Sequence, residues 1–176
     1  MIKVSVLMCV ATTSLYAAGS PPAPATSAAQ IAKVLAPVLK DLGFVRSRFR
    51  WYRYEKESIL VVDIQPARFS PGPYINLGVY YREYGISDKP GIVDCHVDDR
   101  LTALTPDPLR GDELLNPWND ISPETRREEL EAMIRMYGMP WLTSFSNIDR
   151  AKKVLAANPK AAHVAPIARA ELLTSD

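Results

Sequence analysis

The sequence lacks most of the residues and motifs that mark a reaction centre. It has two histidines and two cysteines, and it contains no G-x-S-x-G, HExxH, CxxC or phosphate-binding P-loop pattern. The sequence signatures of common hydrolases, zinc enzymes and nucleotide-binding enzymes are therefore absent, although a triad assembled from distant residues leaves no such signature. The sequence favours a non-enzymatic protein over an enzyme without deciding between them.

An excess of one charge is also lacking. The 21 basic residues are balanced by 20 acidic ones, which leaves a formal net charge of +1. The whole chain therefore has no field that favours nucleic acid or an acidic partner. Hydrophobic residues make up 47% and charged residues 23% of the 176 positions, as in ordinary globular domains, and a chain of this length can bury a core without metals or disulfides.

No apolar run approaches the ~20 residues of a transmembrane helix. At the start of the chain Lys3 precedes the short apolar run 4–10, and the small residues 17–19 follow. This order is typical of a secretory signal peptide, so we predict cleavage after Gly19 and a periplasmic or secreted protein. If residues 1–19 are retained, we expect a cytoplasmic protein instead.

The 15 prolines mark the connections between segments. Residues 20–26 form a Pro/Ala linker that has no means of burying itself. We predict a single domain over residues 27–157, followed by a weakly structured tail over residues 158–176.

The first helix is predicted to begin at Ser27, where Ser27 and Gln30 fit a capping box. Apolar residues recur at helical spacing up to Leu42, and Gly43 is placed to end the helix in the left-handed conformation. Pro37 lies inside this pattern, so we expect it to kink or split the helix.

Two or three further helices are predicted near the C-terminus. Ser122 is predicted to cap the first of them, and Pro123 then occupies the first helical position. Gly138 is predicted to stop this helix, and Pro140 to prevent its resumption. Ser146 is predicted to cap another helix that runs through Leu155.

Four runs between the first helix and these later ones have β-strand character: residues 49–55, 58–65, 74–81 and 92–104. They follow one another without intervening helices, which is typical of an antiparallel meander. The predicted fold class is α+β, with an N-terminal helix, a four-stranded antiparallel meander sheet, and C-terminal helices packed on one face.

Several short motifs follow one another in a specific order along the chain. They are Leu42-Gly43-Phe44, the basic-aromatic run from Phe49 to Arg53, the segment from Val61 to Ser70, the run Ile75 to Val79, Cys95-His96 with Arg100-Leu101, and Met139 to Leu142. This order resembles a bacterial family known as domain of unknown function 4304. The resemblance covers about residues 27–157 and implies no reaction, because the function of that family is unassigned.

One candidate site is the basic-aromatic run from Arg46 to Arg53. Its arginines could neutralise phosphates and its aromatic rings could stack on bases, which is the chemistry of single-strand binders. In a regular strand Arg46, Arg48 and Arg50 would share one face. Nucleic-acid binding is therefore an alternative function, and an ordinary amphipathic strand with its arginines in water is the competing interpretation.

A second candidate is the run that holds Asp94, His96 and Asp98. In a strand these three side chains share a face, where two carboxylates beside an imidazole could bind a divalent metal or activate a base. A metal-dependent hydrolase is thus a second alternative. The competing interpretation is a polar sheet face on which the histidine is hydrogen-bonded to a carboxylate.

The favoured candidate is a polar and aromatic set where two predicted strands meet the loop after Pro66. In a meander Gln65 and Asn76 would meet there, and convergent polar and aromatic groups are typical of ligand sites. The favoured function is a non-catalytic binding module for a protein or peptide, with no cofactor and no metal. The predicted ligand-binding residues are Gln65, Arg68, Phe69, Tyr74, Asn76 and Arg100.

Overall fold

The structure is a computed structural model that describes residues 24–173. The predicted signal peptide, residues 1–19, lies outside the described residues and stays a prediction. The helices are α1 (Pro24–Asp41), α2 (Pro108–Leu115), α3 (Pro123–Met133), α4 (Met139–Phe145), α5 (Ile148–Ala157) and α6 (Pro166–Leu173). The strands are β1 (Val45–Ser47), β2 (Arg50–Tyr54), β3 (Ser58–Gln65), β4 (Tyr74–Tyr81), β5 (Val97–Arg100) and β6 (His163–Val164).

The predicted α+β class and the antiparallel sheet are confirmed, but the described sheet has six strands rather than four. They lie in the order β1-β2-β3-β4-β5-β6, and every neighbouring pair is antiparallel. β1 and β2 form a hairpin in which Ser47 pairs with Arg50, so Arg48 and Phe49 make the turn. The run predicted as one strand from residue 49 therefore begins inside a turn that has neither Gly nor Asn.

The predicted fourth strand is shorter than expected. Only Val97–Arg100 forms a strand, and 3₁₀ turns at Ile92–Asp94 and Leu101–Leu104 occupy most of the rest. The first turn closes because the Gly91 N–H donates to Asp94 Oδ2 at 2.7 Å. Such local side-chain hydrogen bonds compete with sheet pairing. The alternation of residue types therefore predicted a strand that is longer than the observed one.

The two faces of the sheet have different environments. One face packs on the helices and forms the main core with side chains that include Trp51, Leu60, Val62, Leu77 and Val79. The opposite face carries a smaller cluster of Tyr52, Ile59, Val61, Tyr80 and Cys95. The predicted packing of helices on one face is confirmed, and we call the opposite face the open face.

Helix α1 begins at Pro24, inside the predicted linker, and so the predicted capping box is wrong. Ser27 is buried within the helix, and its hydroxyl has no hydrogen-bond partner among the described residues. The helix also continues through Pro37 without being split. Its predicted end is confirmed: Gly43 has φ 82°, its N–H donates to the Lys40 carbonyl, and the Phe44 N–H donates to the Leu39 carbonyl.

Gly138 does not stop the second predicted helix. The chain passes from α3 through a π-helical turn at Ile134–Gly138 directly into α4. In that turn the Met139 N–H donates to the carbonyl of Ile134, five residues earlier. This wider π-helical turn lies just before Pro140. In a regular α-helix the proline ring would clash with the carbonyl four residues earlier, and the wider turn avoids that clash.

The C-terminal part of the chain is more ordered than its composition suggested. Asn147 rather than Ser146 caps α5, since the Asn147 side chain accepts a hydrogen bond from the Arg150 N–H. The segment expected to be weakly structured contains β6 and α6, with Val164, Ala168 and Leu172 buried in the main core. Over residues 24–173, no helix combines the length and the hydropathy needed to span a bilayer.

Candidate functional site

A row of four polar side chains crosses the open face. Arg50 pairs with Asp63 in the sheet register, Asp63 with Asn76, and Asn76 with Arg100. Residues that pair across antiparallel strands project on the same face, so the four side chains lie side by side. We call Arg50, Asp63, Asn76 and Arg100 the polar row. With strands about 4.8 Å apart, its two arginines are roughly 14 Å apart at their backbones.

The interior of the polar row is internally bonded. Arg50 Nε donates to Asp63 Oδ1 at 2.8 Å, and the Asp63 side chain is nearly buried. Burial lowers the pKa of Arg50, but the hydrogen bond and charge of Asp63 outweigh burial, so the pKa is raised overall. Asn76 Nδ2 donates to Gln65 Oε1 at 2.9 Å, which confirms the predicted meeting of these two residues.

The remaining predicted site residues lie at the same end of the sheet. Gln65 pairs with Tyr74 in the register, and the Arg100 guanidinium lies over the Tyr74 ring, 4.0 Å from its centroid. Arg68 and Phe69 belong to the β3–β4 loop, where the Arg68 guanidinium lies 5.8 Å from the Phe69 ring centroid. Phe69 is 93% exposed, so the loop at this end of the sheet presents an aromatic ring to solvent.

Two concavities flank the polar row and meet at Gln65. The larger, about 570 Å³, lies over β4, β5 and β6, and the smaller, about 300 Å³, lies over the β1–β2 turn and β3. Both volumes fall within the usual range of ligand pockets. The larger is lined by Gln65, Asn76, Ile92, Val93, Cys95, Asp98, Asp99, Arg100, Ala103, His163, Ala165 and Pro166.

His163 is a residue of this pocket that the sequence analysis assigned to the tail. Strand β6 pairs it with Asp98, and His163 Nδ1 lies 2.8 Å from Asp98 Oδ2. A two-residue strand has no periodicity that a sequence could show. The presence of an imidazole beside this carboxylate was therefore not predictable from local pattern.

Asp94, His96 and Asp98 do not converge on one point. The Asp94 carboxylate accepts from the Gly91 N–H, His96 Nδ1 accepts from the Tyr81 N–H at 2.9 Å, and Asp98 contacts His163. The expectation that all three share a strand face is wrong because Asp94 lies in a 3₁₀ turn. Within residues 24–173, no group of three His, Cys, Asp or Glu side chains is arranged to hold a metal ion.

His96 is buried among aromatic rings instead of facing a pocket. The rings of Tyr80, Tyr81 and Tyr84 lie 4.8, 5.7 and 5.3 Å from its centroid. Burial lowers the pKa of His96, and the hydrogen bond from the Tyr81 N–H requires an unprotonated Nδ1. Burial likewise raises the pKa of the neighbouring Cys95 thiol, so this cysteine is a poor nucleophile.

The family model described as "Domain of unknown function (DUF4304)" matches residues 35–144 of the chain. The chain belongs to the DUF4304 family. The matched range begins within α1, includes β1–β5 and extends into α4, so it contains the polar row and all six predicted site residues. No curated protein and no solved structure matches the chain.

The family match and the pocket do not have the same extent. His163 and Pro166, which line the larger pocket, lie beyond the matched residues 35–144. In this DUF4304 protein the pocket is thus completed by β6 and the residues after it. The residues matched by the family model include the polar row and the Arg68–Phe69 loop but not β6.

The buried imidazole makes the stability of this DUF4304 protein depend on pH. The pKa of His96 is lower in the folded chain than its ordinary value of about 6.5, so the unfolded chain takes up a proton that the folded chain rejects. The free energy of unfolding is therefore expected to fall as the pH decreases below about 6.5. Each unit of pKa difference corresponds to about 1.4 kcal/mol at low pH.

Urea unfolding of wild type and His96→Asn at several pH values between 8 and 5 tests this dependence. Asparagine keeps an acceptor near the Tyr81 N–H but does not titrate. We expect the variant to be less stable at pH 8, because it loses the ring contacts, and to lose less stability between pH 7 and 5. Parallel pH profiles for the two proteins would contradict the assignment to His96.

Proposed function

We propose that this protein is a non-catalytic binding domain that holds a peptide segment of a protein partner on its open face and the 66–74 loop. The observation that carries the proposal is the position of Phe69. Its exposed ring belongs to the loop that joins β3 and β4, four positions after Gln65, which lines both concavities. An aromatic anchor beside a concave polar surface is the arrangement that protein interfaces favour.

The amide pair supports recognition of a peptide backbone. The Asn76–Gln65 bond uses one N–H of Asn76 and the carbonyl of Gln65. Gln65 is exposed, and this bond leaves its amino group able to donate to an incoming carbonyl. Both residues line the larger pocket, so a chain that enters it would meet this donor.

Arg100 and Tyr74 support the same proposal. Stacking on the Tyr74 ring covers a face of the guanidinium but leaves its N–H groups at the rim free to donate in the plane. A stacked guanidinium loses less conformational freedom on binding than a free one, since its orientation is already restricted. Arginine and aromatic residues of this kind carry much of the binding energy at protein interfaces.

The test is a selection of displayed random 12-residue peptides against the immobilised protein. Peptides so selected are expected to bind Phe69→Ala at least 10-fold more weakly than wild type, measured by fluorescence anisotropy. Ile86→Ala is the matched control, because Ile86 is also a fully exposed apolar side chain but follows the opposite end of β4, roughly 26 Å away along the strand.

A selection that yields no peptide would count against the proposal. Peptides whose affinity is reduced as much by Ile86→Ala as by Phe69→Ala would also count against it, since binding would then not be specific to the 66–74 loop. Far-UV circular dichroism of both variants shows whether the fold is retained.

A further inference from the structure

We infer that the peptide held by the open face is acidic, and that its carboxylates are bound by Arg48, Arg68 and Arg100. This inference rests on the proposed function of that face. It adds the chemical class of the partner segment and names the groups that select it.

The topology brings these three arginines to one end of the sheet. Arg48 lies in the β1–β2 turn, Arg68 in the β3–β4 loop, and Arg100 at the last position of β5. β2, β3, β4 and β5 alternate in direction, so the start of β2, the end of β3, the start of β4 and the end of β5 adjoin. Arg48 and Arg100 line the two concavities that meet at Gln65.

The three arginines have no carboxylate partner among the described residues. Arg50 and Arg53 nearby are each paired at 2.8 Å, with Asp63 and Glu55 respectively. No carboxylate oxygen in residues 24–173 lies within 4.0 Å of a guanidinium nitrogen of Arg48, Arg68 or Arg100. All three are exposed.

Acidic side chains at this end of the sheet are engaged elsewhere. Asp63 is bonded to Arg50, and Asp98 contacts His163. Asp99 accepts from the backbone N–H of Arg100 at 2.7 Å, and burial raises its pKa. The three guanidiniums are therefore available to a carboxylate from outside the described residues, and a carboxylate pairs with a guanidinium through two parallel hydrogen bonds.

The backbone of Arg48 supports a functional role for its side chain. Arg48 has φ 57°, in the left-handed region where glycine and asparagine are favoured, and it is the one non-glycine residue with positive φ in residues 24–173. Its guanidinium makes no hydrogen bond within that range. A strained residue whose side chain has no polar partner inside the protein is a candidate for binding outside it.

A peptide fits this surface better than single-stranded nucleic acid. Nucleic-acid binders interleave cations with exposed rings that stack on successive bases. Here Trp51 and Tyr52 are 1% and 3% exposed, and Tyr74 is covered by Arg100. Phe69 and the half-buried Phe49 of the smaller concavity do not provide the series of stacking rings that a strand of bases requires.

The experiment measures charge dependence with the peptides from the display selection. The tightest binder is synthesised with an amidated C-terminus, together with an analogue in which every Asp and Glu is replaced by Asn and Gln. We expect enrichment of Asp and Glu among the selected sequences, at least 10-fold weaker binding of the neutral analogue, and weaker binding in 500 mM than in 50 mM NaCl. A version with a free C-terminus shows whether the terminal carboxylate contributes.

Protein variants assign the effect to the named residues. The triple variant Arg48→Gly, Arg68→Ala, Arg100→Ala is expected to bind the acidic peptide at least 30-fold more weakly at 50 mM NaCl. Arg127→Ala is the control, because Arg127 is an exposed arginine on α3 with only a 3.6 Å contact to Glu128. Arg48→Gly alone should weaken binding while raising the melting temperature, a combination that loss of folding cannot produce.

Each outcome is decisive. Neutral peptides that bind through Phe69 but are unaffected by the arginine variants would overturn the inference and leave the proposed function intact. Absence of any peptide dependent on Phe69 would overturn both. Tighter binding of a fluorescent 12-nucleotide oligothymidylate than of the acidic peptide, lost in the triple variant, would replace the peptide by nucleic acid.

Discussion

Replacing Gly78 by valine is expected to lower the free energy of unfolding by about 3 kcal/mol, at the upper end of the range for overpacked cores. Gly78 lies in β4 and faces the segment that covers part of the open face. A Cβ at this position would lie 2.6 Å from Cys95 Sγ and 2.7 Å from Ile92 Cδ1, well inside van der Waals contact. Valine is a favourable strand residue, so the loss would come from the clash and not from β propensity.

Urea unfolding followed by tryptophan fluorescence measures this effect. Gly78→Ala is expected to lower the free energy of unfolding by less than Gly78→Val does, because alanine adds the Cβ but not the two γ-methyl groups. Adding Cys95→Ala should restore part of the stability that Gly78→Ala loses, since it removes the nearest atom. Wild-type stability in Gly78→Val would show that residues 92–95 do not pack on β4.

Replacing Arg126 by methionine is expected to destabilise the protein by about 3 kcal/mol, because three backbone carbonyls lose a charged donor. The Arg126 guanidinium donates to the carbonyls of Leu114, Asn116 and Asn119, the last two at 3.0 and 3.1 Å. These carbonyls belong to the end of α2 and the loop that follows it. Arg126 is 7% exposed. Burial lowers its pKa, and the positive charge of Arg110 lowers it by a smaller amount.

Thermal unfolding is the measurement, and a loss of this size corresponds to a melting temperature roughly 6–12 °C lower in a chain of this length. Arg127→Met is the matched control: the neighbouring side chain is exposed, so we expect a change of less than about 0.5 kcal/mol. The melting temperature of Arg126→Lys should lie between those of Arg126→Met and Arg127→Met, since an ammonium cannot reach three carbonyls in the geometry of a guanidinium. Equal effects of Arg126→Met and Arg127→Met would contradict the role of the three carbonyls.

The sequence predicted the centre of the sheet well. Strands β3 and β4 have the predicted bounds, because β-branched and apolar residues mark their extent and proline marks the loop between them. The meeting of Gln65 with Asn76 followed from the meander, since a hairpin brings together the strand ends that adjoin its loop, and these two residues are diagonal neighbours there. Most of the candidate surface was therefore predictable.

The sequence did not predict the two outer strands. The Arg48–Phe49 turn has no turn residues, and β6 has two residues that pair with a strand more than 60 positions earlier. The pairing of His163 with Asp98 depends on the same distant contact. The buried position of Arg126 depends on how the loop between α2 and α3 folds back over its guanidinium. No local pattern records such contacts.

The sequence by itself determined the α+β class, the antiparallel meander, the left-handed end of α1 and the polar set at the loop after Pro66. These features depend on residue conformation and on periodicities of two and 3.6 residues, which neighbours along the chain carry. Only the tertiary structure decided which arginines are paired, that His96 is buried, and that His163 completes the larger pocket. The physical reason is that burial and charge pairing depend on which distant segments pack together in the core, and this packing depends on the sequence of the whole chain.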